Sequence, residues 1–99
     1  MLVNINEYAE GAILLDGLED AIIGIVEEFG NGRRILYSKS KILSILCERD
    51  LMGIEDAQEF YYYNIVGLHA GEQNAVFLDL DIKPIKKDEQ WEYHLNENV

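Results

Sequence analysis

Residues 12–38 read AILLDGLEDAIIGIVEEFGNGRRILYS, and whether the middle of that stretch is helix or strand decides the fold. Leu18, Ala21, Ile22, Ile25, Val26 and Phe29 recur at i, i+3, i+4, i+7, i+8 and i+11, which predicts one apolar stripe on an α-helix. Asp16 is a good N-cap residue, and Glu19 three positions on completes a capping-box pattern. Gly30 supplies a left-handed stop and Asn31-Gly32 a turn. Gly24 in mid-helix costs about 1 kcal/mol relative to Ala, which implies a close approach by another backbone.

Working outward, Ala12–Leu15 reads as a short strand before that helix, and RRILYS (33–38) as a second strand, with Ile35 and Tyr37 in opposite phase to Arg34 and Leu36. SKSKILSILCERD (38–50) returns to helical spacing, capped by Ser38 or Ser40, with Ile42, Ile45 and Leu46 inward. IEDAQEFYYYNIVGLHAG (54–71) reads as a third helix that opens with Glu55 and Asp56 at the favourable end of its dipole. In NAVFLDLDIKP (74–84) Val76, Leu78, Leu80 and Ile82 alternate with Phe77, Asp79, Asp81 and Lys83 as one half-exposed strand that Pro84 ends. The order β-α-β-α-α-β predicts an α+β fold, a small sheet of three or four strands with about three helices packed on it. Residues 1–83 form that single globular domain, and 84–99 form a polar tail: an edge strand, a docked segment or a disordered end.

Composition narrows the function. Nineteen Asp and Glu against eight Lys and Arg give a net charge of −11, which repels nucleic-acid phosphates and anionic membranes. No run approaches the roughly 18 apolar residues of a membrane span, and MLVNINEYAEG has no basic start to mark a signal peptide. The single cysteine, Cys47, allows no internal disulfide and suits a reducing, cytoplasmic setting; it reads as a small buried hydrophobe. The 48% hydrophobic content is compatible with a homodimer.

In FYYYNIVGLHAGE (60–72), Ala57, Phe60, Tyr61, Asn64, Ile65 and Leu68 fall on one side of a helix, so Phe60 and Tyr61 belong to the core and Asn64 is a buried amide that must find a partner. Tyr62 and Tyr63 point elsewhere, beside Glu55 and Glu59, and these four residues make a candidate partner-binding surface. His69 and Glu72 lack a third ligand at any recognisable spacing and read as structural or surface residues. The Gly30–Arg34 run follows a helix and precedes a strand, the reverse of a phosphate-binding loop. No catalytic constellation, metal motif or cofactor motif is present in the sequence. Asp16, Asp79 and Asp81 offer a minority metal site if the fold brings them together, and Asp16 with Asn64 an alternative small-molecule site.

DGLEDAIIGI, followed by ILYSKSKILSILCERDLMGIEDAQEFYYYNIVGLHAGEQNAVFL, resembles a widespread family of small uncharacterised proteins encoded by bacteriophages and some bacteria. The resemblance covers about residues 13 to 78 and rests on Asp16, Gly17, Asp20, Gly24, Asn64, Gly67, Gly71 and Glu72. It implies a phage or bacterial cytoplasm rather than an activity. The expectation is a non-catalytic protein that binds a host or phage protein with a basic face. In its sharpest form the chain inhibits that partner, imitating nucleic-acid charge as an inhibitor of a host-defence enzyme would.

Overall fold

A computed structural model describes residues 1–68 and 73–96 of the chain. It is an α+β fold with two small sheets. A single helical turn, α1 (Ile5–Tyr8), comes first, capped by the Asn4 side chain, which accepts from the backbone amides of Asn6 and Glu7. Strands β1 (Ile22–Glu28) and β2 (Gly32–Ser38) follow as an antiparallel hairpin. Helices α2 (Lys39–Glu48) and α3 (Ile54–Phe60) then carry the chain back to β3 (Val76–Leu78), which pairs parallel to β2. The sheet order β1-β2-β3 puts β2 in the middle.

The helix expected over residues 18–29 is therefore a short 3-10 turn, Glu19–Ala21, and a strand. The β-branched run Ile22, Ile23, Ile25 and Val26 suits a pleated, half-buried surface better than a helix. The capping-box residues serve the turn instead. The Glu19 carboxylate accepts from the Gly17 amide at 3.2 Å, and its own amide and that of Gly17 hold it below the usual carboxylate range. Gly24 meets no backbone from a neighbour; a Cβ there touches only Leu36 at 3.9 Å. It lies where the β1/β2 register slips between Ile22↔Tyr37 and Gly24↔Leu36, a bulge, where a glycine is at home. Phe29, expected inward, stands fully exposed at the hairpin turn, and Gly30 and Gly32 take the positive φ values that turn requires.

Two further boundaries move. Residues 12–15 are extended but join no sheet; Leu15 gives its amide to the Tyr37 hydroxyl at 2.8 Å, and Ile13 to the Gln73 carbonyl at 3.0 Å. The single strand expected over 74–84 breaks at Asp79–Asp81, and beyond the break β4 (Ile82–Lys87) pairs with β5 (Gln90–Leu95) as a separate two-stranded ribbon. Pro84 sits inside β4, opposite Tyr93, rather than ending it. Residues 83 and 84, where the boundary was expected, both lie within β4.

The reading of β2, α2 and the opening of α3 matches the structure. Ile35 and Tyr37 are buried while Arg34 and Leu36 are not. Ser38 caps α2 by accepting from the Lys41 amide, and Ile42 and Leu46 are buried beneath it. The core joins these residues to Leu15, Leu18, Ala21, Ala57, Tyr61 and Ile65. Cys47 is half-buried against that cluster, as its apolar neighbours imply. Tyr37→Phe keeps the ring and removes the hydroxyl that accepts the Leu15 amide, so it should lower unfolding free energy by about 1–3 kcal/mol. Urea denaturation of the two proteins measures this, and an unchanged midpoint would show that the bond contributes nothing.

Candidate functional site

The functional surfaces are organised by one irregular helix. α3 enters with Glu55 and Asp56 in its first turn and then widens into a π-helical segment, Tyr61–Val66, in which the Gly67 amide reaches back to the Tyr62 carbonyl at 2.8 Å. Such segments occur often at functional sites. Gly67 makes this one possible, because a Cβ would stand 2.8 Å from that same carbonyl oxygen. The wide turn buries Ala57, Tyr61 and Ile65. It leaves Asn64 and Leu68 in water and Phe60 partly so, which corrects the expectation that Phe60 belongs to the core and that Asn64 is a buried amide.

Tyr62 and Tyr63 emerge on opposite flanks of the segment. On the flank facing the sheet, Tyr62 lines an open hollow with Arg34, Lys39, Tyr61, Phe77 and Asp79. Lys39 donates to the Tyr62 hydroxyl at 2.8 Å and to Asp79 at 2.9 Å, and those two bonds raise its pKa. Burial pushes the Tyr61 hydroxyl up to about 12. Its ring stands edge-on to Phe77 and to Tyr62. Arg34 pairs with Glu28 at the same mouth, and Asn31 and Arg34 together hold Glu28 below the usual carboxylate range. Every charge lining this hollow is thus matched by its neighbour. A lysine held protonated offers a hydrogen bond but neither a base nor a nucleophile at neutral pH.

On the other flank, Tyr63 and Glu59 share a shallow hollow with Met52, Asp56, Phe60 and Asn64, and among the described residues no basic side chain lines it. Of the four residues expected to form one partner surface, Glu55, Glu59 and Tyr63 are exposed on α3 and its extension, while Tyr62 belongs to the Lys39 hollow. Asp16 and Asn64 do come together, in a third hollow with Arg49 and Asp50. There Arg49 donates to the Gly17 carbonyl at 2.6 Å and pairs with Asp50.

Asp79 and Asp81 lie elsewhere, on the link between the two sheets, where Asp79 holds Lys39 and the Asp81 side chain accepts from Asn96. The three-carboxylate metal site is not assembled. Among the described residues no three His, Cys, Asp or Glu side chains are placed to hold a metal ion. Arg33 and Arg34 of the glycine-rich turn pair with Glu27 and Glu28, so they frame no anion cradle; Arg33 also covers the Tyr8 ring at 4.1 Å. His94 is exposed on β5 and bonded to Glu92 at 3.0 Å. His69, Gly71 and Glu72 lie outside the described residues.

Sequence reasoning missed Lys39 and Arg34. Lys39 carried a signal: a cation at the first position of a helix opposes the dipole and needs an acid nearby. No described helix is long and apolar enough to cross a membrane. Comparison with protein-family models, with curated proteins and with solved structures finds no match.

Two outcomes test this geometry. In Gly67→Ala the new methyl must push the Tyr62 carbonyl aside, with an expected loss of about 1–3 kcal/mol in urea denaturation; a variant of parental stability would mean the π turn relaxes freely. The alkaline limb tests the buried hydroxyl. Tyr61 is neutral in both states below its ordinary pKa of 10.0; above it the unfolded chain ionises first, so stability is full below about pH 10 and falls towards about 12. Tyr37, raised by burial, and Lys39, raised by its bonds to Tyr62 and Asp79, act in the same direction. Stability curves from pH 8 to 12 should therefore slope less for Tyr61→Phe than for the parent. The difference grows by roughly 1.4 kcal/mol for every pH unit through which the unfolded chain has ionised this hydroxyl and the folded one has not. Superimposable curves would remove Tyr61 from the account.

Proposed function

We propose that this chain is a non-catalytic protein-binding module whose docking surface is the acidic, aromatic flank of α3. The observation that carries this reading is the company Tyr63 keeps. The residue is 72% exposed beside Glu59, Asp56 and Phe60, in a hollow that no described basic side chain lines. Several acids around the other hollows are paired: Glu28 with Arg34 and Asp79 with Lys39 beside Tyr62, and Asp50 with Arg49 beside Asp16. Among the described residues, Glu55, Asp56 and Glu59 enter no such pair. Uncompensated carboxylates around an exposed aromatic anchor favour a partner that brings basic side chains and an apolar recess. A cytoplasmic, phage-related setting and inhibition of a nucleic-acid-binding defence protein extend this reading, the carboxylates standing where phosphates would bind.

Tyr63→Ala should weaken capture of the protein partner from nuclease-treated bacterial lysate by about 2 kcal/mol or more, the cost typical of truncating a hot spot. Reversing Glu55 and Glu59 to Lys should abolish it; all three side chains are exposed, and the fold is expected to persist with a small loss from the Glu55 reversal at the start of α3. Tyr62→Phe, on the opposite flank, should bind normally. Parental binding by the α3 variants would place the docking surface elsewhere.

A second reading draws on the hollow where Asp16, Arg49 and Asn64 converge, which presents an acid, a cation and an amide to a small polar molecule. A thermal-shift screen with nucleotides and divalent ions tests it, since a bound ligand raises apparent stability by mass action. A rise in melting temperature abolished by Asn64→Ala would support this reading, and no rise for any compound would remove it.

A further inference from the structure

We infer that Asn31-Gly32, at the tip of the β1–β2 hairpin, is a self-modifying site, and that the Glu28 carboxylate is the group that restrains it. The site lies outside the α3 flank, and its chemistry does not depend on what that flank binds.

Asn31 is the only asparagine of the chain that precedes a glycine. A glycine has no side chain to shield its amide nitrogen from the residue before it. That nitrogen can attack the asparagine Cγ. A bond forms between the Gly32 nitrogen and Cγ, the Cγ–Nδ2 bond breaks, and the Gly32 amide proton leaves with the side-chain nitrogen as ammonia. The product is a five-membered succinimide, which water opens at either carbonyl. Opening at Cγ restores the ordinary chain with an aspartate at position 31. Opening at the main-chain carbonyl leaves the chain running through Cγ as an isoaspartate. Water is the only co-reactant.

Glu28 holds Asn31 at both ends. The Asn31 backbone amide donates to the Glu28 carbonyl at 3.1 Å, closing the turn, and the Asn31 side-chain amide donates to the Glu28 carboxylate. Arg34, on β2, donates to the same carboxylate. The Arg34 side chain is only 19% exposed, so the acid is anchored by a largely covered cation. Together Asn31 and Arg34 hold Glu28 below the usual carboxylate range, and it accepts as an anion at neutral pH. Ring closure requires the Asn31 Cγ to turn forward onto residue 32, whereas its bond to Glu28 engages it backward across the turn. Charge-assisted bonds are the stronger ones, and cyclisation must break this one. Once the amide is lost, the new carboxylate has no proton to give Glu28, repels it, and competes for Arg34, which also lines the Tyr62 hollow. The isoaspartate branch adds a methylene to the backbone beside Gln73, whose Nε2 is 3.1 Å from where a Cβ on Gly32 would stand. Gln73 in turn donates to the Glu10 carbonyl at 2.7 Å, so the modified tip disturbs the tie between the hairpin and the N-terminal segment.

The test follows ammonia loss from the whole chain in mildly alkaline buffer, folded and in urea, by peptide mass mapping with isoaspartate detection. The folded parent should react at Asn31 far more slowly than the same chain in urea. Glu28→Ala should speed the folded reaction by about tenfold or more, the release expected when a bond to a charged group is lost. Glu28→Gln keeps an acceptor oxygen without the charge and should react at a rate between the two. Glu27→Ala removes the neighbouring hairpin pair with Arg33 and leaves the Asn31 bonds in place, so it should match the parent. Circular dichroism checks that each variant keeps the parental fold. A Glu28→Ala or Glu28→Gln protein of parental fold that reacts no faster than the parent overturns the inference. So does a Glu27→Ala protein as fast as Glu28→Ala, because general loosening of the hairpin would then account for both. A folded parent as fast as the chain in urea removes the restraint, and a product that maps to another asparagine, or an Asn31 that keeps its amide even in urea, removes the site.

Discussion

The hydroxyl of Tyr37 accepts the backbone amide of Leu15 at 2.8 Å, and much of the fold is arranged around that bond. Tyr37 sits on the central strand, fully buried, and a tyrosine so placed needs a partner for its oxygen. The bond fixes the extended segment 12–15, which would otherwise carry an unpaired amide over the core. The same ring stacks with Phe77 of β3, its centroid 6.1 Å away, and Phe77 in turn meets the edge of Tyr61. One aromatic row therefore links the loop before β1, both parallel strands and the π-helical segment. Burial keeps the Tyr37 and Tyr61 hydroxyls neutral.

That row also sets the surface. With Tyr61 committed inward, the two residues after it must diverge. Tyr62 turns to the sheet side, where Lys39, itself paired with Asp79, donates to its hydroxyl, and Tyr63 turns outward among acids. Gly67 lets the wide turn close on the Tyr62 carbonyl without a clash. The result separates a charge-balanced hollow on one flank from an unbalanced acidic one on the other. The ribbon beyond Asp81 exposes Tyr93 and Trp91 on one face, with Lys86 beside Trp91.

Several features were legible because local chemistry alone dictates them. Alternation in RRILYS places Ile35 and Tyr37 inside whichever partner strands arrive. Ser38 caps α2, and the acids at the start of α3 suit its dipole. Of the residues singled out for binding, Glu55, Glu59 and Tyr63 are exposed together on one helix as periodicity implies. Tyr62 parted from them because a π turn adds a residue to the helical repeat, and periodicity carries no sign of that beyond the Gly67 that permits it. Asn64 was misplaced for the same reason.

By itself, then, the sequence determined the mixed α+β class, the inward and outward alternation of β2, α2 with its cap, and a net charge of −11. Tertiary structure alone decided residues 18–29, whose apolar spacing satisfies a helical stripe while Ile22, Ile23, Ile25 and Val26 equally satisfy a strand. The tie is broken by β2. A buried central strand must have both rows of backbone groups paired, β3 covers one side, and only residues 22–28 are joined to the other by a turn short enough to form a hairpin. The break at Asp79 has a parallel cause: Asp79 is tied to Lys39 at the head of α2, so the chain leaves the first sheet there, and the alternating pattern beyond it continues in a second sheet that local spacing cannot distinguish from the first.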